Sequence, residues 1–408
     1  MNNDMTRTNI TSMKNILTLR YDPTTTTHLA KKSWQDFVVT SDSYSADHIE
    51  SLIEGAIKSF AEDSPGNRYS VALSGGIDST LAIALLRKTL PDAEINAISV
   101  RFADSVDESD TAKKIAAHFD AGVQVVNIER YLAEMPKAIS VIKMPFWDIH
   151  WFYVVREASK SSKILVSGDG GDELFGGYTF RYEKFLSNYR SGSSALEKTK
   201  LYLDCHQRDW IPDQDKVFGK KAKFAWDDVH QYITPYFDND LSPLNQVFLA
   251  DFNGKLLYNW IPLNKRIHDY FGVRSLSPIL SDRLVSYATH LSPKAKYDEQ
   301  KKIGKIPLRD LLSRHVPKEL ISTAKHGFSV STVNLWKSSV EGLCERFLVN
   351  GRTVEDEWID GKWVKEKLLK LKTNQDVRYV NKFLGLLAFE IWYRLFVTKE
   401  MSPDTVLE

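Results

Sequence analysis

The stretch SGGIDS, Ser74–Ser79, places two glycines, two hydroxyls and a carboxylate between the apolar runs YSVAL and TLAIALLRKTL. The pattern is strand, tight turn, helix. A helix N-terminus presents unpaired N–H groups and the positive end of its dipole, and glycine lets an anion approach that backbone closely. Ser74, Gly75 and Gly76 then form a phosphate cradle, with the Ser74 and Ser79 hydroxyls as further donors. Asp78 would repel a phosphate unless a cation lay between them, and Mg2+ carried by a nucleotide is the natural mediator. The turn thus reads as a Mg-pyrophosphate site. A glycine turn with serine caps can also be purely structural. It is neither a Walker A loop, since no Lys-Ser/Thr follows, nor a dinucleotide fingerprint, since the glycine spacing differs.

A second loop, SGDGGDELFGGY (Ser167–Tyr178), follows the apolar run KILV. Asp169, Asp172 and Glu173 cannot all ionise side by side without cations or basic neighbours. The glycines leave the backbone free to wrap a ligand, and ligands of open α/β sheets bind beyond the carboxyl ends of strands. An acidic surface turn is the plainer alternative.

The elements that must carry these loops are legible as apolar runs alternating with amphipathic stretches from Tyr69 to about Tyr178: YSVAL, INAISVRF, GVQVVNI and KILVSG between TLAIALLRKTL, DTAKKIAAHF and HWFYVVREASK. Strands alternating with helices predict an α/β domain with a parallel sheet. After Tyr178 helical patterns such as LRDLLSRHV, VKEKLLKLK and YVNKFLGLLAFEIWYRLF dominate. The expected organisation is an N-terminal extension over 1–55 holding the short strand-like run ILTLRY, a nucleotide-binding core over 56–190, and a mostly α-helical region over 191–408. The lysine-rich DKVFGKKAKF near 220 is expected to be a solvated surface segment.

Composition narrows the function classes. Lys plus Arg number 54 against 53 Asp plus Glu, so no global positive field attracts a polyanion. Two cysteines, Cys205 and Cys344, cannot build a disulfide framework or a multi-cysteine metal site. The first residues lack the apolar core of a signal peptide, and the apolar FLGLLAFEIWYRLFV is broken by Glu390 and Arg394, which suits a buried helix better than a membrane span. A cytoplasmic protein with no nucleic-acid or membrane partner is expected. Oligomeric state is not legible.

With those residues in view, SGGIDS resembles the SGGxDS loop of the PP-loop ATP pyrophosphatases. SGDGGDELFGGY closely resembles the loop that, with the first, marks the synthetase domain of asparagine synthetase and its relatives, including β-lactam synthetases. The resemblance implies ATP and Mg2+ as cofactors, and an enzyme that adenylates a carboxylate, releases pyrophosphate, and lets an amine displace AMP. It also implies roles. Asp78 and Asp172 hold Mg2+; Gly168, Asp169 and Gly170 contact the nucleotide; Ser99, Val100 and Arg101, in AISVRF, flank adenine. MPFWDIHWFYVV is similar to the family's Pro-x-x-Asp-x-Ser segment, with Pro145 and Asp148 in place and His150 where serine is usual. KIPLRDLLSRHVPKELISTAKHGFSV is similar to the Lys-x-x-Leu-Arg helix and Lys-x-Gly-Phe loop, which carries catalytic roles onto Lys305 and Lys325. Lys305, with Ser74 and Ser79, holds pyrophosphate, and Lys325 steadies charge on the α-phosphate and acyl group. Asp148, Gly171, Glu173 and Arg274 face the acyl substrate.

Two departures modify the expectation. Glutamine-dependent asparagine synthetases begin, after Met removal, with a nucleophilic cysteine on a glutaminase domain, whereas here Asn2 follows Met1 and only ~55 residues precede the synthetase-like region. Ammonia, free or from a separate glutaminase, or a larger amine is therefore expected as nucleophile. In FGVRSLSPILSD the family's Gly-Val-Glu-x-Arg-x-Pro-Phe-Leu-Asp is altered: an ungapped match sets Arg274 on Glu, Leu276 on Arg and Ser281 on Asp, while restoring the arginine at Arg274 needs an insertion before Pro278, and either way the polar set changes. A cation for a carboxylate would reverse the charge the pocket favours, so the substrate could be aspartate or a sugar or peptide carboxylate, or the acyl group could pass to an internal amine to give a cyclised product. An RNA-base-adenylating enzyme and a noncatalytic binding homologue are the alternatives from other classes. His118, His150 and His326 carry no assignment.

Overall fold

The computed structural model describes residues 9–64, 66–102, 107–206, 208–321 and 330–407. Five parallel strands form one sheet: β1 (Arg68–Ala72), β2 (Glu94–Phe102), β3 (Gly122–Ile128), β4 (Ile164–Val166) and β5 (Arg274–Leu276). Their spatial order is β3-β2-β1-β4-β5. The chain runs from β1 outward through β2 to β3, then returns to the other side of β1 for β4. The order therefore reverses between β1 and β4, the point at which open α/β sheets leave a crevice beyond their strand ends.

Seven helices up to the second loop matter to the site: α1 (Ile10–Leu19), α2 (Ala46–Glu62), α3 (Ile77–Thr89), α4 (Ser109–His118), α5 (Met135–Ile142), α6 (His150–Ala158) and α7 (Gly171–Phe175). The four strands and three crossover helices expected from the apolar runs are present. β5 is an addition from the second half. At three residues it is too short to show a strand period, and it forms because its backbone pairs with Ile164, Leu165 and Val166 of β4.

The N-terminal reading needs correction. ILTLRY is not a strand. Asn9 caps a helix by accepting from the Thr11 and Ser12 amides, Met13, Ile16 and Leu17 recur on one buried face, and Arg20 closes the helix in the left-handed region at φ 67°. Nor is the segment an appendage. Position 55 falls inside α2, and the buried faces of α1 and α2 contribute to the two hydrophobic cores. Each core also mixes strand residues such as Ala72 or Val71 with residues beyond 190 such as Phe383 or Phe248. The helical half thus covers both faces of the sheet, and burial of both faces is what a parallel sheet requires.

Near 220 the lysines face solvent, but Val217, Phe218 and Ala222 are buried and bind the segment to the core. The last helix, Val377–Phe396, is buried as expected. Its Glu390 is fully buried, accepts hydrogen bonds from the Arg352 and Thr353 amides and the Thr353 hydroxyl, and pairs with Arg394 at 2.6 Å. Among the described residues no helix is long and apolar enough to cross a membrane.

Candidate active site

Asp78 follows β1 and Asp172 follows β4, so the strand order alone sets them on the two loops that flank the reversal. Between them lies Lys305. Its Nζ is 2.9 Å from Asp172 Oδ1 and also bonds to Asp78 Oδ2. Burial works against the ammonium's charge, but the two carboxylates outweigh it and hold its pKa above the usual lysine value. Lys305 reaches this point from a distant segment because it is the left-handed cap (φ 57°) of the helix Ile306–Ser313, and its amide donates to the Phe175 carbonyl at the end of α7 at 2.8 Å.

The first loop is tied by its own hydroxyls. Ser74 Oγ and Ser79 Oγ lie 3.2 Å apart, and the Ser79 and Thr80 hydroxyls donate to the Gly76 carbonyl. Gly75 has φ +72°, in the left-handed region that favours glycine. In the second loop glycine is required for a different reason. A Cβ on Gly168 would come within 2.5 Å of the Asp78 backbone, and one on Gly171 would overlap the Asp78 carboxylate. Those two glycines let the acidic loop close onto the first one.

The cleft so formed has a volume of about 310 Å³ and is lined by Asp78, Gly168 to Glu173, Asp148 and Tyr178, together with Arg20, Lys255 and Trp260. Asp169 ties β4 to β5 as well as lining it: its Oδ2 accepts from Ser167 Oγ at 2.8 Å and lies 3.4 Å from Ser277 Oγ. Burial raises its pKa, partly offset by the Ser167, Trp260 and Ser277 donors. Burial, with Asp172 adding to it, pushes Glu173 up to about 7, and the Tyr178 hydroxyl donates to it at 2.5 Å. Asp148 moves the other way. Burial alone would raise it, but His150, then Arg20 and Tyr131, bring it down to about 2. His150 Nδ1 and the Tyr131 hydroxyl both donate to Asp148 Oδ1 at 2.8 Å, and the imidazole stacks on Trp260.

Ser99, Val100 and Arg101 lie in the last half of β2, past its pairing with β1 and paired with Val125, Val126 and Asn127 of β3, with the first two buried and Arg101 turned outward to Asp107 at 3.1 Å. Arg274 is not brought to the cleft. It pairs with Ile164 at the start of β4, the end of the sheet opposite the site, and its guanidinium lies over Phe60 and donates to the Asp63 carbonyl. The strand's cleft end is Leu276, followed by Ser277, so the reading that set Arg274 against the acyl substrate is corrected. Lys325 and His326 lie outside the described residues. His118 bonds to the His315 carbonyl on the surface.

Two cations escaped the sequence reading. Arg20, at the end of α1, stacks over Phe146 and Trp147 and lies 3.7 Å from Asp148. Lys255 lies in a π-helical stretch, Phe252–Trp260, whose Gly254 departs from helical geometry at φ −97°, ψ −109°. Burial lowers Lys255 to about 8 against the pull of Asp209, its partner at 2.5 Å. A lone lysine after glycine within the apolar run QVFLADFNGKLLYNW was the available signal.

Asp78 and Asp172 are oxygen donors converging on one cation, which suits Mg2+. Among the described residues no three His, Cys, Asp or Glu side chains form a ready cage. Two carboxylates with the rest supplied by water and phosphate are the usual holding set for a nucleotide's Mg2+.

Residues 48–394 match the asparagine synthase family. The chain is 24% identical over 367 residues to asparagine synthetase (glutamine-hydrolyzing) 1 of Bacillus subtilis, covering 81% of this chain and 57% of that protein. It is 32% identical over 381 residues to a provisionally named glutamine-hydrolyzing asparagine synthetase of Mycobacterium bovis, covering 81% and 55%. The chain thus spans somewhat more than half the length of these curated relatives. A solved structure, NMN synthetase from Francisella tularensis, matches 33% of this chain and 59% of its own at 20% identity and a TM-score of 0.27. With the family's region running from α2 to the last helix and both strand-end loops inside it, the chain belongs to the asparagine synthase family.

Proposed function

We propose that the chain is an ATP-dependent carbon–nitrogen ligase that activates a carboxylate as its adenylate and passes the acyl group to an amine. The observation that supports this most is the convergence of Asp78 and Asp172 on Lys305 where the strand order reverses. In this reading the nucleotide base lies toward Ser99, Val100 and Arg101, and the phosphates lie over Gly75, Gly76 and the N-terminus of α3. Ser74, Ser79 and Lys305 donate to the pyrophosphate, and Gly168, Asp169 and Gly170 close over the nucleotide. Asp78 and Asp172 would hold Mg2+, which neutralises charge on the departing pyrophosphate.

A substrate carboxylate oxygen attacks the α-phosphorus. The bond from that phosphorus to the bridging oxygen breaks, and pyrophosphate leaves with the electron pair. The amine nitrogen then attacks the acyl carbon, the carbon–oxygen bond to AMP breaks, and the amine gives up a proton. Lys325 is assigned the charge on the α-phosphate, and Asp148, Gly171 and Glu173 the acyl side. The acid is a small-molecule or peptide carboxylate. The amine is ammonia, free or from a separate glutaminase, or a larger amine.

The test is pyrophosphate and AMP formation by purified protein from Mg-ATP with a panel of acids, with and without ammonium. Release that depends on an acid and vanishes in Asp78→Ala is expected. Release unchanged in a folded Asp78→Ala variant would sink the proposal.

A further inference from the structure

The two edges of the sheet differ. β5 is three residues long and offers almost no ladder, whereas β3, at the other end of the strand order, runs for seven residues. On one side β2 pairs with β3 along its whole length. On the other side, among the described residues, nothing bonds to the amides and carbonyls of 122–128. A strand directs alternate backbone groups to its two sides, so β3 turns a row of donors and acceptors outward.

Proteins protect such an edge with proline, charged side chains, a bulge or a cover. The strand GVQVVNI holds neither charge nor proline, and its register with β2 is unbroken over all seven residues, which excludes a bulge. Nor is it covered. Most residues of β1 and β2 are buried, yet every residue of β3 keeps part of its surface exposed, and Val123 is 37% exposed. Val123, Val125, Val126 and Ile128 thus stand half open to water in a parallel sheet, a type whose strands are normally buried on both faces.

This edge is complementary to itself. In antiparallel pairing, outward-facing residues must meet outward-facing residues, and one register about a two-fold axis engages all seven: the axis then passes at Val125. Val125 meets its own copy, Gln124 meets Val126, Val123 meets Asn127 and Gly122 meets Ile128. In the same register Asp120 comes opposite Arg130 at both ends of the ladder, and both residues are exposed. Arg130 already donates to the Leu407 carbonyl at 2.7 Å through one nitrogen, and the guanidinium fork leaves other donors for a carboxylate. No like charges face each other, and opposite-charge and β-branched cross-strand pairs are favourable.

We propose that β3 is the pairing edge of a symmetric dimer, in which two copies of this chain join antiparallel about Val125 and fuse their sheets into one. An extended peptide from another protein would find the same backbone groups but not the two Asp120–Arg130 pairs. The edge lies on the far side of β2 from the β1–β4 reversal, so pairing leaves both clefts open, and the dimer stands or falls apart from the ligase reading.

The test is sedimentation velocity of the purified full chain from about 1 to about 100 μM. A reversible monomer–dimer equilibrium in the micromolar range is expected, because seven residues a side fall short of the roughly 20–30 of a standard interface. Val125→Lys and Val125→Glu each set two like charges on the axis, and each should weaken dimerisation roughly tenfold or more. An equimolar mixture of the two should restore it, since lysine then faces glutamate, and misfolded chains would not recover in this way. A wild type that stays monomeric, a dimer unchanged in Val125→Lys, or a mixture of folded variants that stays monomeric overturns the proposal. If either variant fails to melt cooperatively, the exposed pair decides: Arg130→Asp should weaken the dimer about tenfold and Asp120→Arg in the same chain should restore it. An unchanged dimer in Arg130→Asp then overturns the proposal.

Discussion

Lys305 Nζ lies 2.9 Å from Asp172 Oδ1 and bonds Asp78 as well, so one buried ammonium joins loops that follow two different strands. Removing one member of a buried charge set leaves the others uncompensated, at a cost of about 3–5 kcal/mol. Lys305→Met should therefore lower the melting temperature and abolish acid-dependent pyrophosphate release. A divalent cation can replace the lost charge. Millimolar MgCl2 should raise the melting temperature of the variant more than that of the wild type, and equal shifts would argue that the two carboxylates do not share a cation site.

Glycine substitutions should separate close approach from backbone freedom. Gly168→Ala and Gly171→Ala drive a methyl group into Asp78, so both should lose ATP-dependent activity and stability. Gly55 lies within α2 with open space where its Cβ would stand. Gly55→Ala should stabilise by about 0.5–1 kcal/mol through helix propensity and leave activity intact. Urea melts and pyrophosphate assays on the three variants check this.

Asp148 and Glu173 predict opposite pH dependences. The depressed pKa of Asp148, about 2, means its charged form is favoured by folding, so its contribution is present above the ordinary aspartate value near 3.8 and is lost as pH falls toward 2. That contribution is about 2 kcal/mol. Glu173, raised to about 7, is favoured in its protonated form, so its contribution is present below 4.5 and is lost as pH rises through 7. Stability of Asp148→Asn relative to wild type should improve between pH 4 and pH 2, and that of Glu173→Gln should improve between pH 5 and pH 8. Parallel profiles for either variant and wild type would contradict the assignment.

The sheet was legible because its apolar runs and helices alternate in blocks long enough to show a period, and both loops because glycine and aspartate interrupt them at strand ends. Which strands lie side by side was not. That order decides whether Asp78 and Asp172 meet, and it follows from how the whole chain covers the sheet. Arg274 was misplaced for a related reason: in a three-residue strand, moving two positions along the chain carries a side chain from one end of the sheet to the other. ILTLRY looked strand-like because Ile16, Thr18 and Tyr21 favour strands, but the Asn9 cap and the spacing of Met13, Ile16 and Leu17 favoured a helix. Arg20 and Lys255 reach the cleft only through contacts distant in sequence, with Phe146, Trp147 and Asp209.

Arg20 itself offers the sharpest separation of nucleotide binding from acid binding. It touches neither strand-end loop by hydrogen bond, yet it lines the cleft and is held between Phe146, Trp147, Asp148 and Asp209. Replacing it with methionine keeps much of the stacked stem and removes only the charge. Arg20→Met should bind Mg-ATP with the wild-type affinity, measured by calorimetry, while KM for the acid rises roughly tenfold or more. It should also relieve the pull on Asp148, whose pKa, followed by NMR, should move up from about 2. A variant that loses ATP affinity and acid affinity together would place Arg20 on the nucleotide side of the cleft.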